Sequence, residues 1–403
     1  MEKQLSMAAY QLRMREMPEM STNKSVACKM QLLSKGIAID DSVIQNYDQD
    51  FIEKRSAYGI QDPSKYLALR VPQELIIMPD ELVCAININP KSNTVLKYDI
   101  GKREYYVESD TFTCVVTFPK RPLFYSKQLQ SDPSTRVNQI ISMYGGHCVG
   151  AFLVRNCWFE KNGVCHFCSL CNNHGNRNDF YNIINSDVLV ESIEIALQEE
   201  YPITQIILNG GNLASLNDNF EFYAERITAV RIMLDRNKRT DVELHLIVSP
   251  PKDFEKIEAL RNLNIKVAMN TEVYDDNLFE KYCPGKSKHI GHGHLFNALR
   301  KAVDVVGTEN VFSILVGGLE PIDSLTWGIS SMIADGIIPV INVLHIDPDT
   351  LMNSDQHPSF EYIMEAGRLL QKAYTQLSPT FRPFYLNCGR NSLDTEAYRK
   401  LFY

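Results

Sequence analysis

Several features that would place the chain in a membrane or on nucleic acid are missing from the sequence. No apolar run approaches the roughly 20 residues of a membrane-spanning helix, and the first residues, Met-Glu-Lys-Gln-Leu-Ser-Met-Ala, contain no apolar signal-peptide core. The 41 Lys and Arg residues are outnumbered by 49 Asp and Glu residues, for a net charge of −8, which argues against a dedicated nucleic-acid binder. We therefore expect a cytoplasmic protein with no membrane partner.

What the sequence does contain is an ordinary globular composition with many cysteines. Hydrophobic residues make up 44% and charged residues 22% of the 403 residues, enough for a large α/β domain with an extension. The ten cysteines, in a reducing compartment, indicate metal or redox chemistry rather than disulfides.

The pattern along the chain divides it into four regions. We predict a helical N-terminal segment over 1–75, a β-rich accessory region and connector over 76–144, an α/β core over 145–377 and a C-terminal cap segment over 378–403. Short β-patterned runs separated by Pro, Asn and Gly turns predict strands at 74–78, 81–88, 95–100, 104–108 and 111–118. The apolar spacing of 135–143 predicts a helix in the connector.

From Cys148 onward, strands and helices alternate regularly, which predicts a parallel sheet. The predicted strands are 148–154, 204–209, 242–248, 265–270, 311–316 and 338–344. The predicted helices are 187–200, 218–236, 252–263, 291–306, 322–335 and 359–377. In barrels built from such units, reactive groups lie at the carboxyl ends of the strands, so candidate site residues are sought there.

The densest chemical signal is a loop after the first core strand, where Cys157, Cys165, Cys168 and Cys171 fall within fifteen residues. Three thiolates on one loop can hold three irons of a [4Fe–4S] cluster and leave the fourth iron open. Four thiolates with C-x2-C spacing can instead hold a structural zinc ion. Taken alone, the loop leaves both alternatives open.

A cluster loop at the end of a first strand, with the aromatic residue Phe167 directly before its last ligand, resembles the radical S-adenosylmethionine (radical SAM) superfamily, in a biotin-synthase-like form. The family spacing is C-x3-C-x2-C, whereas Cys157, Cys165 and Cys168 give C-x7-C-x2-C. The resemblance implies a partial (β/α)6 TIM-like barrel, a [4Fe–4S] cluster held by these three cysteines, and S-adenosylmethionine on the open iron. Cys171 is left open as an alternative ligand, a neighbouring thiol or a bystander.

The resemblance continues at the ends of the later strands, over roughly 145–377. A Gly-Gly-Glu-like turn that binds the methionyl amino group corresponds to Gly210 and Gly211, with Asn212 in place of the glutamate. An amide oxygen still accepts a hydrogen bond from an ammonium group. An Asn-x-acid pair that binds the ribose corresponds to Asn270 and Glu272.

The adenine segment of the family, Gly-x-Ile-x-Gly-x-x-Glu, resembles residues 313–320. Gly317 and Glu320 match, while Ser313 and Leu315 replace the first glycine and the isoleucine. The expected cofactor-binding residues are Phe167, Asn209, Gly210, Gly211, Asn212, Ser249, Asn270, Glu272, Gly317 and Leu319.

Three further residues are candidates for catalysis. His345 and Asp347 end the sixth core strand, where substrate would lie, although a strand-end histidine is as often a packing residue. Cys388 lies near the C-terminus and would contact substrate or an auxiliary cluster, although a buried structural thiol is the commoner case.

The implied activity is reductive cleavage of S-adenosylmethionine to a 5′-deoxyadenosyl radical, which removes hydrogen from a substrate. No basic run or auxiliary-cluster domain is present, so we expect a small-molecule substrate. The resemblance further implies an oxygen-sensitive protein that is reduced by flavodoxin or ferredoxin. The alternatives are a zinc-stabilised α/β-barrel hydrolase or lyase and a non-catalytic iron–sulfur scaffold.

Overall fold

The computed structural model describes residues 23–46, 50–53, 71–170, 181–199, 202–347, 350–352, 356–386 and 388–403. Cys171, and with it the question of its role, lies outside these residues. So does most of the predicted N-terminal segment.

The described residues form two sheets surrounded by helices. The strands are β1 (Ala38–Ile39), β2 (Glu74–Ile77), β3 (Leu82–Ala85), β4 (Val95–Asp99), β5 (Glu104–Glu108), β6 (Thr113–Thr117), β7 (Ser142–Tyr144), β8 (Cys148–Phe152), β9 (Gln205–Asn209), β10 (Glu243–Ile247), β11 (Lys266–Ala268), β12 (Val311–Gly317) and β13 (Ile338–Val343). The α-helices are α1 (Lys24–Lys35), α2 (Asp41–Gln45), α3 (Ser186–Leu197), α4 (Leu216–Arg236), α5 (Asp276–Tyr282), α6 (Pro284–His289), α7 (His292–Val306), α8 (Ile322–Ala334), α9 (Phe360–Tyr374) and α10 (Asp394–Tyr398). In this part of the chain, no helix has both the length and the apolar character to cross a membrane.

The smaller sheet has the strand order β1-β4-β5-β6-β2-β3. Its neighbours pair antiparallel except for β1 and β4. The hairpin β4–β5 turns over residues 100–103, as the sequence predicts.

The larger sheet has the order β13-β12-β11-β10-β9-β8-β7, and β8 to β13 are all parallel. Every strand predicted for the core is present, and helical segments connect successive strands, so the predicted partial (β/α)6 barrel is confirmed. The strands read as continuous apolar runs because both faces are covered; all seven residues of β12 are buried.

Two helix predictions were wrong. Residues 135–143 form a short 3₁₀ turn, Val137–Gln139, followed by β7. The spacing of Val137, Ile140 and Ile141 is helical, but all three are buried by tertiary packing, and a turn through Gly145 and Gly146, both at positive φ, pairs β7 with β8. Residues 252–263 contain a 3₁₀ helix, Phe254–Leu260, rather than an α-helix.

The open side of the barrel is covered by residues 384–393, here called the closing segment; residue 387 lies outside the described residues. Val343 N donates to Asn391 O at 2.8 Å, and Leu393 N donates to Ile341 O at 3.0 Å, so the segment runs along β13. On its other side, Ala85 N donates to Arg390 O at 3.1 Å, which joins the segment to the smaller sheet.

A buried lysine of α1 fixes this segment. Lys29 Nζ donates to Gly389 O at 2.8 Å, to Ser392 O at 3.0 Å and to Glu396 Oε1 at 2.7 Å. The Lys29 and Glu396 side chains are 1% and 0% exposed. A buried ammonium group needs such a complete set of partners, because the free-energy cost of removing it from water would otherwise be too large.

We expect Lys29→Met to lower the free energy of unfolding by about 3–5 kcal/mol, since it leaves the Glu396 carboxylate buried without its cation. Urea unfolding at pH 7 measures this. The double variant Lys29→Met/Glu396→Leu should recover much of the loss, because no charge is then stranded. Lys35→Met, at an exposed position of the same helix, is the control and should change stability by less than about 0.5 kcal/mol. A single variant as stable as the control would contradict this account of the closing segment.

Candidate active site

A cavity of about 430 Å³ lies inside the barrel, within the size range of small-molecule sites. Alternate residues of the strands point into it, as the two-residue period of a strand requires. The strand residues at its wall include Cys148, Gly150, Phe152, Ile207, Asn209, Ile314 and Val316. The cysteine loop contributes Phe167 and Cys168, and the closing segment contributes residues 388–392. The cavity therefore joins the cysteine loop to the C-terminal part of the chain.

Cys157, Cys165 and Cys168 follow the carboxyl end of β8, and none of them forms a disulfide. Cys157 is half-buried, Cys165 is buried, and Cys168 lies at the cavity wall with part of the residue exposed. Surrounding protein atoms desolvate the Cys168 thiol and raise its pKa to about 12, and the charges of Cys165 and Cys157 add to this effect. The Cys168 thiol thus lies within electrostatic reach of the other two.

Cys165 has an additional partner that the sequence did not assign, Cys283 at the start of α6. The hydrogen bond from Cys283 lowers the pKa of Cys165 against the effect of burial, and Lys286 lowers it further. The backbones are joined nearby, where His166 N donates to Tyr282 O at 2.9 Å and Gly285 N donates to Gly163 O at 3.0 Å. A lowered pKa favours the thiolate form, which is the form that binds metals.

Across the described ranges, no group of three or more His, Cys, Asp and Glu side chains is arranged to hold a metal ion. The three-thiolate ligand set therefore stays a prediction. The chemistry of the donors fits an iron–sulfur cluster, since three cysteines lie on one loop, Cys168 borders the cavity, and soft thiolates are the usual ligands of such clusters.

Gly210 and Gly211 pack closely against the segment that leads from β8 into the cysteine loop. A Cβ atom on Gly211 would lie 2.9 Å from both Cα and Cβ of Cys157, and one on Gly210, where φ is +149°, would lie 2.7 Å from Val154 O. The glycine pair thus lets the end of β9 approach the loop. Next to it, Asn212 O accepts from Trp158 N at 2.8 Å, and Asn212 Nδ2 donates to Cys157 Sγ at 3.8 Å.

Two buried amide oxygens near these elements have no hydrogen-bond partner, Asn212 Oδ1 and Asn270 Oδ1. Such atoms are rare in native proteins, and each calls for a ligand or water. Asn270 lines the cavity and is held from both sides by Ser313, whose Oγ donates to Met269 O at 2.9 Å and accepts from Thr271 N at 3.0 Å. Both oxygens fit hydrogen-bond donors of S-adenosylmethionine, an ammonium group and ribose hydroxyls.

Glu272 lines the cavity and has a positive φ of 64°. Its Oε1 accepts from Lys286 Nζ at 2.5 Å, and both side chains are at most 15% exposed. Burial alone would lower the pKa of Lys286, but the charges of Glu272, Cys165 and Cys283 raise it. The pair places one carboxylate and one ammonium group beside the cysteine loop.

The remaining predicted cofactor residues lie around the same cavity or next to it. Asn209 ends β9 and lines the cavity, whereas Ser249 is half-buried two residues after β10. Leu319 is buried in an apolar cluster with Cys165 and Tyr282, against which Phe167 packs.

Gly317 ends β12, where a Cβ atom would lie 2.9 Å from Ile341 Cγ2. Glu320, which also matched the family segment, accepts from Tyr274 N at 3.1 Å and from Asp275 N at 3.1 Å, so it caps a turn.

The catalytic candidates His345 and Asp347 lie together. His345 Nε2 is 3.7 Å from Asp347 Oδ2, and His345 Nδ1 is 3.3 Å from Asn391 Nδ2. Asp347 also accepts a short hydrogen bond from Ser169 Oγ of the cysteine loop. His345 lines the cavity, so this network connects the end of β13, the cysteine loop and the closing segment.

Cys388 is 4% exposed and lines the cavity. Its Sγ donates to Gln205 Oε1 at 2.9 Å, and Gln205 Nε2 is 2.9 Å from His245 Nδ1 and donates to Phe384 O at 2.5 Å. Burial raises the pKa of Cys388 well above its usual value. These contacts describe a protonated structural thiol, which nonetheless borders the cavity.

Sequence reasoning missed the two cations of the cavity wall, Arg155 and Arg390. Arg155 directly follows the strand predicted over 148–154, so its position at a strand end was a usable signal. Arg390 had no comparable signal, because only the tertiary fold brings the closing segment to β7, where its guanidinium lies 4.7 Å from the ring centroid of Tyr144.

No protein-family model matches the chain, and no curated protein sequence matches it. Among solved structures, the FeFe-hydrogenase maturase HydG from Carboxydothermus hydrogenoformans is 17% identical with a TM-score of 0.44, over 58% of this chain and 53% of the maturase. Methylornithine synthase PylB is 15% identical with a TM-score of 0.42, over 58% of this chain and 63% of the synthase. A radical SAM methyltransferase from Sphaerobacter thermophilus is 14% identical with a TM-score of 0.42, over 70% of this chain and 76% of the methyltransferase.

The chain thus spans about half the length of the maturase. The methyltransferase belongs to the superfamily that the cysteine loop resembles. At these identities and TM-scores, the likenesses assign neither an activity nor a substrate to this chain.

The contact between α6 and the cysteine loop predicts opposite effects for two helical glycines. A Cβ atom on Gly285 would lie 2.4 Å from Gly163 O and 2.6 Å from Asn162 O, whereas one on Gly293 of α7 meets nothing within 4 Å. We expect Gly285→Ala to lower the free energy of unfolding by about 1–3 kcal/mol through this clash. Gly293→Ala should raise it by up to about 1 kcal/mol, because alanine favours the helix. Urea unfolding compares the two, and equal effects would show that α6 does not hold the loop.

Proposed function

We propose that this protein is a radical SAM enzyme. It binds a [4Fe–4S] cluster through Cys157, Cys165 and Cys168, cleaves S-adenosylmethionine reductively to a 5′-deoxyadenosyl radical, and removes hydrogen from a small-molecule substrate. The electron comes from a flavodoxin or ferredoxin that docks near the cysteine loop.

One observation carries the proposal. Three cysteines of a single loop, none of them in a disulfide, follow the carboxyl end of the first core strand, and Cys168 lines a cavity of about 430 Å³. Close to them, two buried amide oxygens have no hydrogen-bond partner. This combination suits a soft metal cluster together with a ligand that carries an ammonium group and hydroxyls.

The roles of the chain's own residues follow from their positions. Asn212 accepts a hydrogen bond from the amino group of the methionyl moiety, and its Nδ2 contact fixes the side chain against Cys157. Asn270 and Glu272 accept from the ribose hydroxyls, while Lys286 holds the Glu272 carboxylate in place. Leu319 and Phe167 supply apolar contacts for the adenine ring and exclude water.

The test is anaerobic reconstitution with iron and sulfide, followed by reduction in the presence of S-adenosylmethionine and an assay for 5′-deoxyadenosine. We expect a brown protein that forms this product. Cys157→Ala, Cys165→Ala and Cys168→Ala should each lower the yield by roughly 100-fold or more, because each removes an iron ligand.

Cys114→Ala is the matched control, since it removes a buried thiol of β6 in the smaller sheet and should leave the yield unchanged. A colourless zinc protein that forms no 5′-deoxyadenosine would contradict the proposal in favour of a zinc-stabilised barrel. A protein that holds an iron–sulfur cluster but cleaves no S-adenosylmethionine would contradict it in favour of a scaffold.

A further inference from the structure

The charged groups on the cavity wall are unequal in sign. Among the described residues, the cavity is lined by two guanidinium groups, those of Arg155 and Arg390, and by one carboxylate, that of Glu272. The Glu272 carboxylate is already paired with Lys286 at 2.5 Å. The described part of the wall therefore carries more guanidinium groups than carboxylates, although the whole chain has a net charge of −8.

The two arginines belong to one part of the cavity. The Arg390 guanidinium lies 4.7 Å from the ring centroid of Tyr144, and both arginines act electrostatically on the Tyr144 phenol. Tyr144 itself lines the cavity, and its ring packs on β8 at Gly150, where a Cβ atom would lie 2.5 Å from it. Both arginines thus border the cavity within electrostatic reach of one tyrosine.

Both guanidinium groups are held by the fold. Arg155 is 3% exposed, and its Nη2 donates to Gln139 O at 2.7 Å. Arg390 Nη1 lies 4.0 Å from Glu74 Oε2, with 22% of the arginine side chain exposed. A planar guanidinium fork that is already oriented loses little entropy when it binds an oxyanion.

Another part of the wall is apolar. Ile140, Phe152, Ile207 and Ile314 line the cavity together with the two arginines. The same cavity extends to Phe167 and Cys168 of the cysteine loop. A ligand that fits this lining carries an oxyanion for the arginines and an apolar body for the isoleucines and Phe152.

We propose that Arg155 and Arg390 bind the oxyanion of an organic acid, either a carboxylate or a phosphate monoester, as the substrate of this site. The identification of that acid as substrate rests on the proposed function, whereas the binding site itself does not. Arg155 and Arg390 are positioning residues, because the oxyanion that they hold takes no part in hydrogen removal.

The test is isothermal titration calorimetry with three probes of the same apolar body, without reductant or S-adenosylmethionine. The probes are 3-phenylpropionate, phenethyl phosphate and the neutral 3-phenylpropionamide. We expect one or both acids to bind and the amide to bind at least tenfold more weakly, since charge-assisted hydrogen bonds are lost. The acid that binds with the higher affinity indicates whether the substrate is a carboxylate or a phosphate ester.

Variants locate the binding site. Arg390→Gln should weaken binding of the acid by roughly 10- to 100-fold, because a charged hydrogen-bonding partner is lost. The affinity of Arg390→Lys should fall between those of Arg390→Gln and the wild type, because lysine keeps the charge but lacks the planar guanidinium fork. Arg368→Gln, on α9 and outside the cavity wall, is the matched control and should bind as the wild type does. Urea unfolding of each variant verifies that it is folded.

The proposal is overturned if the amide binds as tightly as the acids, if folded Arg390→Gln retains wild-type affinity, or if neither acid binds at about 10 mM, a concentration that detects even millimolar affinity. Its failure is distinct from failure of the proposed function. A protein that forms 5′-deoxyadenosine and binds neither acid refutes only the acid site, and one that binds the acids without forming 5′-deoxyadenosine refutes only the radical SAM assignment.

Discussion

The architecture depends on one buried ammonium group. Lys29 lies on the first described helix, yet its three partners are Gly389, Ser392 and Glu396, at the other end of the chain. An ammonium group without water requires all of these acceptors at once, so the closing segment has a single stable position. That position places Arg390 and Cys388 at the cavity wall. Helix α1 thus helps to determine the shape of the site through the closing segment.

A second constraint is the requirement for glycine at the positions where the cysteine loop contacts β9 and α6. Gly211 faces Cys157, and Gly163 faces Gly285, at distances that admit no Cβ atom. The long insertion between Cys157 and Cys165 is accommodated through these contacts, because it packs against α6. The unusual C-x7-C-x2-C spacing is accommodated in this way, since the insertion packs against α6 while the end of β9 lies against Cys157.

Local patterns carried the prediction of the fold, and long-range contacts account for what they missed. The six core strands were predictable because each is a short apolar run between turns, and the candidate cofactor residues were assigned from strand-end motifs that resemble those of the radical SAM superfamily. The connector at 135–143 was not predictable, because its helical spacing reflects burial against several elements, and a turn at Gly145 and Gly146 imposes strand pairing. The roles of Arg390 and Lys29 were not predicted, for another reason. The Lys29–Glu396 pair is separated by 367 residues, and no local pattern encodes that contact.

The distribution of charge in the cavity suits the chemistry proposed for it. Removal of a hydrogen atom by a carbon radical creates and destroys no net charge on the substrate, so electrostatic stabilisation of the reacting atoms contributes little. The protein must then gain rate through position, by holding one C–H bond close to the radical. An ionic anchor away from the reacting carbon does this, because its binding energy fixes the substrate without entering the reaction. The two arginines line the same cavity as Phe167 and Cys168 of the cysteine loop, so an acid that they bind is held in the cavity that the loop borders.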